Sequence, residues 1–165
     1  NVDALLQKQA ECISVMTYNE YGQVIDAGIS EDQLVTFNYL KEGVGVMEDG
    51  IYVLEDRLTD PAFEDQMVRF VRASMKGWKY AEANPDEAAQ IVIDNDETGA
   101  QTLAHQQYMM GEVAKLTAGS NGALDPADFD QTVATLLSGV SPDNPAITKA
   151  PEGGWTHQIS DKALQ

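Results

Sequence analysis

Cysteine is almost missing from this chain: Cys12 is the only one in 165 residues. A single thiol excludes an intrachain disulfide and every cysteine-based zinc site. Cys12 falls within an apolar run, where it reads as a small buried hydrophobe, and no Lys, Arg or His adjoins it to favour a thiolate. Histidine is nearly as scarce. His105 and His157 are each alone in their segments, so no metal site is expected. Basic residues are the third shortage, with 10 Lys and Arg against 27 Asp and Glu and a net charge of −17. A nucleic-acid binder needs a clustered basic surface to displace counterions, and this balance excludes one. It also argues against docking on anionic lipid. No run of about 18 apolar residues occurs, so no transmembrane helix is expected. There is no repeat of fixed period. Gly43-Val44-Gly45 is too short for a phosphate loop, and pairs such as Glu31-Asp32 and Glu55-Asp56 give no convergent acid and base.

What the chain does have is 43% hydrophobic residues and a length that suits one domain, or part of a larger one. Its acidity is spread over the whole sequence, which reads as a solvated surface. The opening at Asn1 without Met reads as a processed or truncated product, so a missing leader says nothing about location. Residues 2–9 look like the end of a helix leading into a first strand at 10–16. Leu34-Val35-Thr36-Phe37 and Ile51-Tyr52-Val53-Leu54 read as a second and third strand. Tyr18, Asn19, Glu20 and Tyr21 follow the first strand, where the loops of an open α/β sheet converge on ligands. Aromatics, an amide and a carboxylate at that place suit capture of a small polar ring compound. The plainer alternative is that Asn19 and Glu20 cap the helix that starts near Tyr21.

From residue 59 the pattern turns helical. Thr59 or Asp60 can cap a helix with Pro61 in its first turn, and Phe63, Met67, Phe70, Val71, Met75 and Trp78 carry its stripe to about Ala83. Trp78, Tyr80 and Trp155 read as core packing, with Trp155 anchoring the tail. Asn84-Pro85 repeats the start for a short helix through Ile93. A longer helix is predicted from about Thr98 to Leu116, with Leu103, Met109, Met110, Val113 and Leu116 inward. Asp125-Pro126 opens a last one through Phe129, Val133, Leu136, Leu137 and Val140. The stretch beyond Gly139, to Gly154, is expected to be irregular. Three strands fall short of a doubly wound sheet. A partner copy or a missing N-terminal lobe would have to complete it.

Several of these segments carry a resemblance. Val2-Asp3-Ala4, Ala10-Glu11-Cys12-Ile13-Ser14-Val15, Met16-Thr17-Tyr18-Asn19-Glu20, Tyr52 to Leu58 and Trp155-Thr156 are similar to parts of one family. The most specific match is the Lys76-Gly77-Trp78 and Asn84-Pro85-Asp86-Glu87-Ala88 run. The order resembles the C-terminal half of periplasmic solute-binding proteins of ABC transporters, in the nitrate/sulfonate/taurine and thiamine-pyrimidine-synthase-like branch. The resemblance implies a partial type II periplasmic-binding-protein-like α/β fold. Residues 1–58 would be part of the second lobe with its return crossover strand, and 59–165 the helical C-terminal portion of the first lobe.

It further implies an exported protein, periplasmic or at the cell surface, that holds a small molecule between two lobes and delivers it to an ABC permease. Asn19 and Glu20 would then hydrogen-bond the ligand, with Tyr18 or Tyr21 stacking on it. Met47, Glu48 and Asp49 would line the cleft near the hinge, or else form a simple turn into Gly50. Glu20 repels nitrate or sulfonate at close range, which favours a nitrogen heterocycle such as a thiamine precursor. Neither catalysis nor a cofactor is expected. Two alternatives stay open: a ligand-free sensory or interaction domain on the same fold, and a pyrimidine-synthase-like enzyme. The lack of histidine and further cysteine near the Asn-Glu turn counts against the enzyme.

Overall fold

Proline stands at the first position of three of the longer helices. The computed structural model describes residues 2–139 and 146–165, and the regular elements among them are helical. Asp3–Leu6 (α1) and Glu20–Asp26 (α2) lie in the first part of the chain, followed by tight 3-10 turns at Glu31–Gln33 and Glu55–Thr59. Pro61–Ala83 (α3) begins where the sequence predicts. Asp60 Oδ1 accepts the Ala62 N–H at 2.9 Å, and Pro61 sits where no N–H is missed. Pro85–Asp94 (α4) has the proline but no capping bond from Asn84, whose Nδ2 donates back to Tyr80 O. Pro126–Ser138 (α6) starts in the same way as α3, with Asp125 capping it through the Ala127 N–H. Leu103–Thr117 (α5) starts later than expected, capped by Thr102. The delay has a local cause: Asp96 Oδ1 and Oδ2 collect the N–H groups of Thr98 and Gln101 and hold 96–101 as a turn. Ser160–Ala163 (α7) ends the chain. Val140, expected in the last helix, and part of the irregular stretch after Gly139 lie outside the described residues.

The expected α/β fold, a partial type II periplasmic-binding-protein-like sheet, is not what the structure has. Among the described residues there is no strand and no sheet. Residues 10–16, 34–37 and 51–54 are irregular, and Val35 and Tyr52 are each 83% exposed. The physical reason is that β-propensity measures fit to a pleated, half-buried surface, and a lone strand leaves its N–H and C=O groups unpaired. The first two of these segments make local bonds instead, such as Ala10 N–H to Ala4 O and Leu34 N–H to Glu31 O. Cys12 is exposed rather than buried. Leu103 and Leu116 face outward, and Trp78 and Tyr80 are half exposed rather than core.

The chain divides into two compact units. One comprises the residues up to Val35 together with Lys76–Ser120, and the other Thr36–Met75 together with the residues from Asn121 onward. In the first unit, α4 packs along α5, and α2 also touches α5. Small side chains permit the close approach: Ala88 and Ala89 of α4 are buried, Ala89 completely. Val24 and Gly22 are the buried residues of α2.

In the second unit, polar side chains tie the chain's end down. Gln158 donates to Leu58 O at 3.0 Å and to Glu64 Oε1 at 2.7 Å, where Lys162 Nζ also lies at 2.7 Å. Arg72 donates to the carbonyls of Lys162 and Ala163, which are last-turn acceptors of α7. Trp155 meets Phe129 edge-on and lies 4.7 Å from the His157 ring, whose Nε2 bonds to Leu124 O. Tail anchoring by Trp155 is thus a small aromatic cluster in which the indole itself stays partly exposed.

Candidate functional site

The site is in the first unit, where α2, the 95–101 turn and α5 converge on α4. Gly22 lets them converge. A Cβ there would lie 2.4 Å from Cε1 of Tyr108, so only glycine leaves room for the phenol ring against α2. Tyr108 spans onward to donate its OH to Thr17 O at 2.6 Å. Burial is the first cause that raises its pKa above the ordinary tyrosine value. His105, one helical turn earlier, stacks near the same ring at 6.1 Å between centroids. Its Nε2 lies 2.9 Å from Asn19 Oδ1.

Asn19 stands at the N-cap position of α2 but makes no capping bond. Its carboxamide is used elsewhere: Oδ1 accepts from His105 and from Gln23 Nε2 at 3.3 Å, and Nδ2 donates to Glu20 Oε1 at 3.2 Å. Glu20 reaches back beyond the helix start, where its Oε2 accepts the Met16 N–H at 2.9 Å. That backbone bond is the main reason its carboxyl titrates below the ordinary 4.5. A carboxyl with a lowered folded pKa stabilises the fold fully above its unfolded pKa and loses that contribution as pH falls through the folded value. Glu20→Gln is therefore expected to lower the thermal midpoint at neutral pH. The gap to the parent should close as pH drops below 4.5. Parallel melts from pH 7 to pH 3 check this, and a gap that stays constant with pH would contradict it.

Asn19 and Gln23 open onto a cavity of about 600 Å³, whose other walls are Ile91, Val92, Asn95, Asp96, Gln101, Gln106 and Met109. Among the described lining residues, five side chains are carboxamides, three are apolar, and none is a cation. Asp96, the one carboxylate, is already occupied by the Thr98 and Gln101 donors, and the Thr98 hydroxyl first among them holds its pKa below the usual value. Gln106 is 7% exposed, and its Nε2 donates to Gln101 Oε1 at 2.7 Å and towards Met109 Sδ at 3.6 Å. A wall of this kind reads neutral donors and acceptors through hydrogen bonds, with apolar faces for the body of a ring.

Of the residues singled out from the sequence, Asn19 lines this cavity and Glu20 orients it. Tyr18 and Tyr21 are half-buried beside them but are not among the lining residues. Met47, Glu48 and Asp49 belong to the second unit and are exposed, the Met47 N–H donating to Thr132 Oγ1 at 2.9 Å. His105, Gln101 and Gln106 escape a sequence reading that weighs histidine only as a metal ligand. The available signal is polar side chains placed next to the apolar stripe of α5. Among the described residues no group of His, Cys, Asp and Glu could hold a metal ion. Nor is any described helix long and apolar enough to cross a membrane.

Residues 1–88 match the family model described as NMT1/THI5 like, and the chain belongs to that family. The family comprises nitrate-, sulfonate- and taurine-binding proteins together with thiamine-pyrimidine-synthase-like proteins, and it supports a solute-binding role in general. No curated protein and no solved structure matches the chain significantly.

Proposed function

We propose that this protein is the solute-binding component of an ABC uptake system, and that it takes an uncharged nitrogen heterocycle of the aminopyrimidine type into the carboxamide cavity. The observation that carries this reading is the lining itself, five carboxamides and no cation. Nitrate, sulfonate or taurine would enter without a Lys or Arg to offset the desolvation of its charge, which is a large cost. An aminopyrimidine presents ring acceptors and an amino donor, the complement of a carboxamide wall. The same lining supports binding over catalysis, since Asp96, the titratable side chain among the described lining residues, is engaged by backbone and hydroxyl donors. Family membership supports export and delivery to a membrane permease as the setting for such a protein.

Native mass spectrometry of the intact chain tests the reading with 4-amino-2-methylpyrimidine and taurine as probes. The expected result is one pyrimidine per chain, lost on denaturation and strongly reduced in Asn19→Ala, with no taurine adduct. A taurine adduct, or no pyrimidine adduct at saturating concentration, would overturn it. The second outcome would favour a ligand-free interaction domain.

A further inference from the structure

The polarity of Asn19 is imposed on it by its neighbours. A carboxamide offers two acceptor positions on oxygen and two N–H donors. Both acceptor positions are filled, by His105 Nε2 and Gln23 Nε2, and one N–H goes to the Glu20 carboxylate. Glu20 can only accept while ionised, and the Met16 N–H keeps it so. Among the described residues, one donor of Asn19 is left over, on a side chain that lines the cavity.

His105 is fixed by the same logic. An amide oxygen cannot donate, so Nε2 must carry the proton in the neutral ring. Nδ1 then holds a lone pair, and among the described residues it is buried without a hydrogen-bond partner, with Asp26 Oδ2 4.0 Å away. Gln106 is the counterpart. Both of its N–H groups are engaged by Gln101 and Met109, which leaves the acceptor Oε1 of this buried side chain for the same cavity.

We infer that His105 is a positioning residue that locks Asn19 as a donor, so that the cavity selects a neutral ring carrying an acceptor for Asn19 and an N–H donor for Gln106. This rests on the solute reading above and narrows it to molecules with an acceptor nitrogen or carbonyl beside an amino or lactam N–H. It excludes aromatic amines that have the same outline but no ring acceptor, because the Asn19 N–H would then be buried unpaired.

The test compares 4-amino-2-methylpyrimidine with 3-methylaniline, which keeps the amino and methyl groups but has no ring nitrogen. Calorimetric titration at pH 8 of the full chain should show the pyrimidine binding at least about tenfold more tightly, the loss expected for one unpaired buried donor. His105→Phe removes the donor and should bring that ratio close to one. His105→Gln, which still donates, should restore most of it. In the unmutated protein, ¹⁵N NMR of the imidazole should show the Nε2–H tautomer, a readout that does not depend on any variant folding. Discrimination that survives in His105→Phe, or an Nδ1–H tautomer, would overturn the assignment while leaving the solute reading standing. If the unmutated protein binds neither probe, the solute reading itself fails and the selectivity falls with it.

Discussion

Gly22→Ala is expected to destabilise the protein by about 1–2 kcal/mol, although alanine is the better helix former. Two effects oppose each other at this position. Replacing glycine within a helix returns up to about 1 kcal/mol of propensity. Against that, the new methyl group would lie 2.4–2.9 Å from three ring carbons of Tyr108. The ring is rigid, belongs to α5, and is tethered by its OH to Thr17 O at 2.6 Å, so it cannot simply swing away. Overpacking of this kind costs about 1–3 kcal/mol, and the clash wins. Ligand affinity should fall with stability, because the same contact holds α2, and with it Asn19, against His105. The double-mutant cycle with Tyr108→Ala decides the mechanism. With the ring gone, Gly22→Ala should become neutral or stabilising in chemical unfolding. An equal loss in both backgrounds would show that the ring is not the obstacle.

The larger loss is expected for Ala89→Leu. Ala89 has no exposed surface, and it lies on α4 where that helix packs along α5. Leucine adds three carbon atoms where no room remains, so the helices must separate or the side chain must leave its rotamer. The expected cost is about 1–3 kcal/mol, reaching the top of that range here because helix backbones rather than flexible side chains have to move. Ile91 and Val92 follow on the same helix and wall the cavity, so pyrimidine binding should weaken in parallel. Urea unfolding followed by helical circular dichroism measures the stability change. An unchanged midpoint would mean that α4 and α5 are not packed as closely as described.

The helices were legible because their signals are local. Asp60-Pro61, Asn84-Pro85 and Asp125-Pro126 each pair a cap residue with a proline at the first helical position, and each does start a helix. The strands were not legible in the same sense. Val35, Phe37, Ile51 and Tyr52 favour a pleated surface, but a strand exists only when another segment pairs with it, and no run of residues encodes its own partner. Asn19 and Glu20 stood out because their position beside an apolar run is visible in sequence. Their actual use was hidden. The bond from His105 to Asn19 joins residues 86 positions apart, and it depends on Gly22 admitting Tyr108. A lone histidine has no metal spacing to advertise it, yet one ring nitrogen suffices to set the direction of an amide.

On the proposed reading, the carboxamide cavity of the first unit is where this NMT1/THI5-like protein takes its solute. The most direct test follows the side-chain amide resonances by ¹⁵N-resolved NMR while 4-amino-2-methylpyrimidine is added. Asn19, Gln23, Gln101 and Gln106 are expected to shift together and saturate at one equivalent, while Met47, Glu48 and Asp49 keep their backbone resonances. Shifts confined to residues 47–49, with the four carboxamides unmoved, would contradict it.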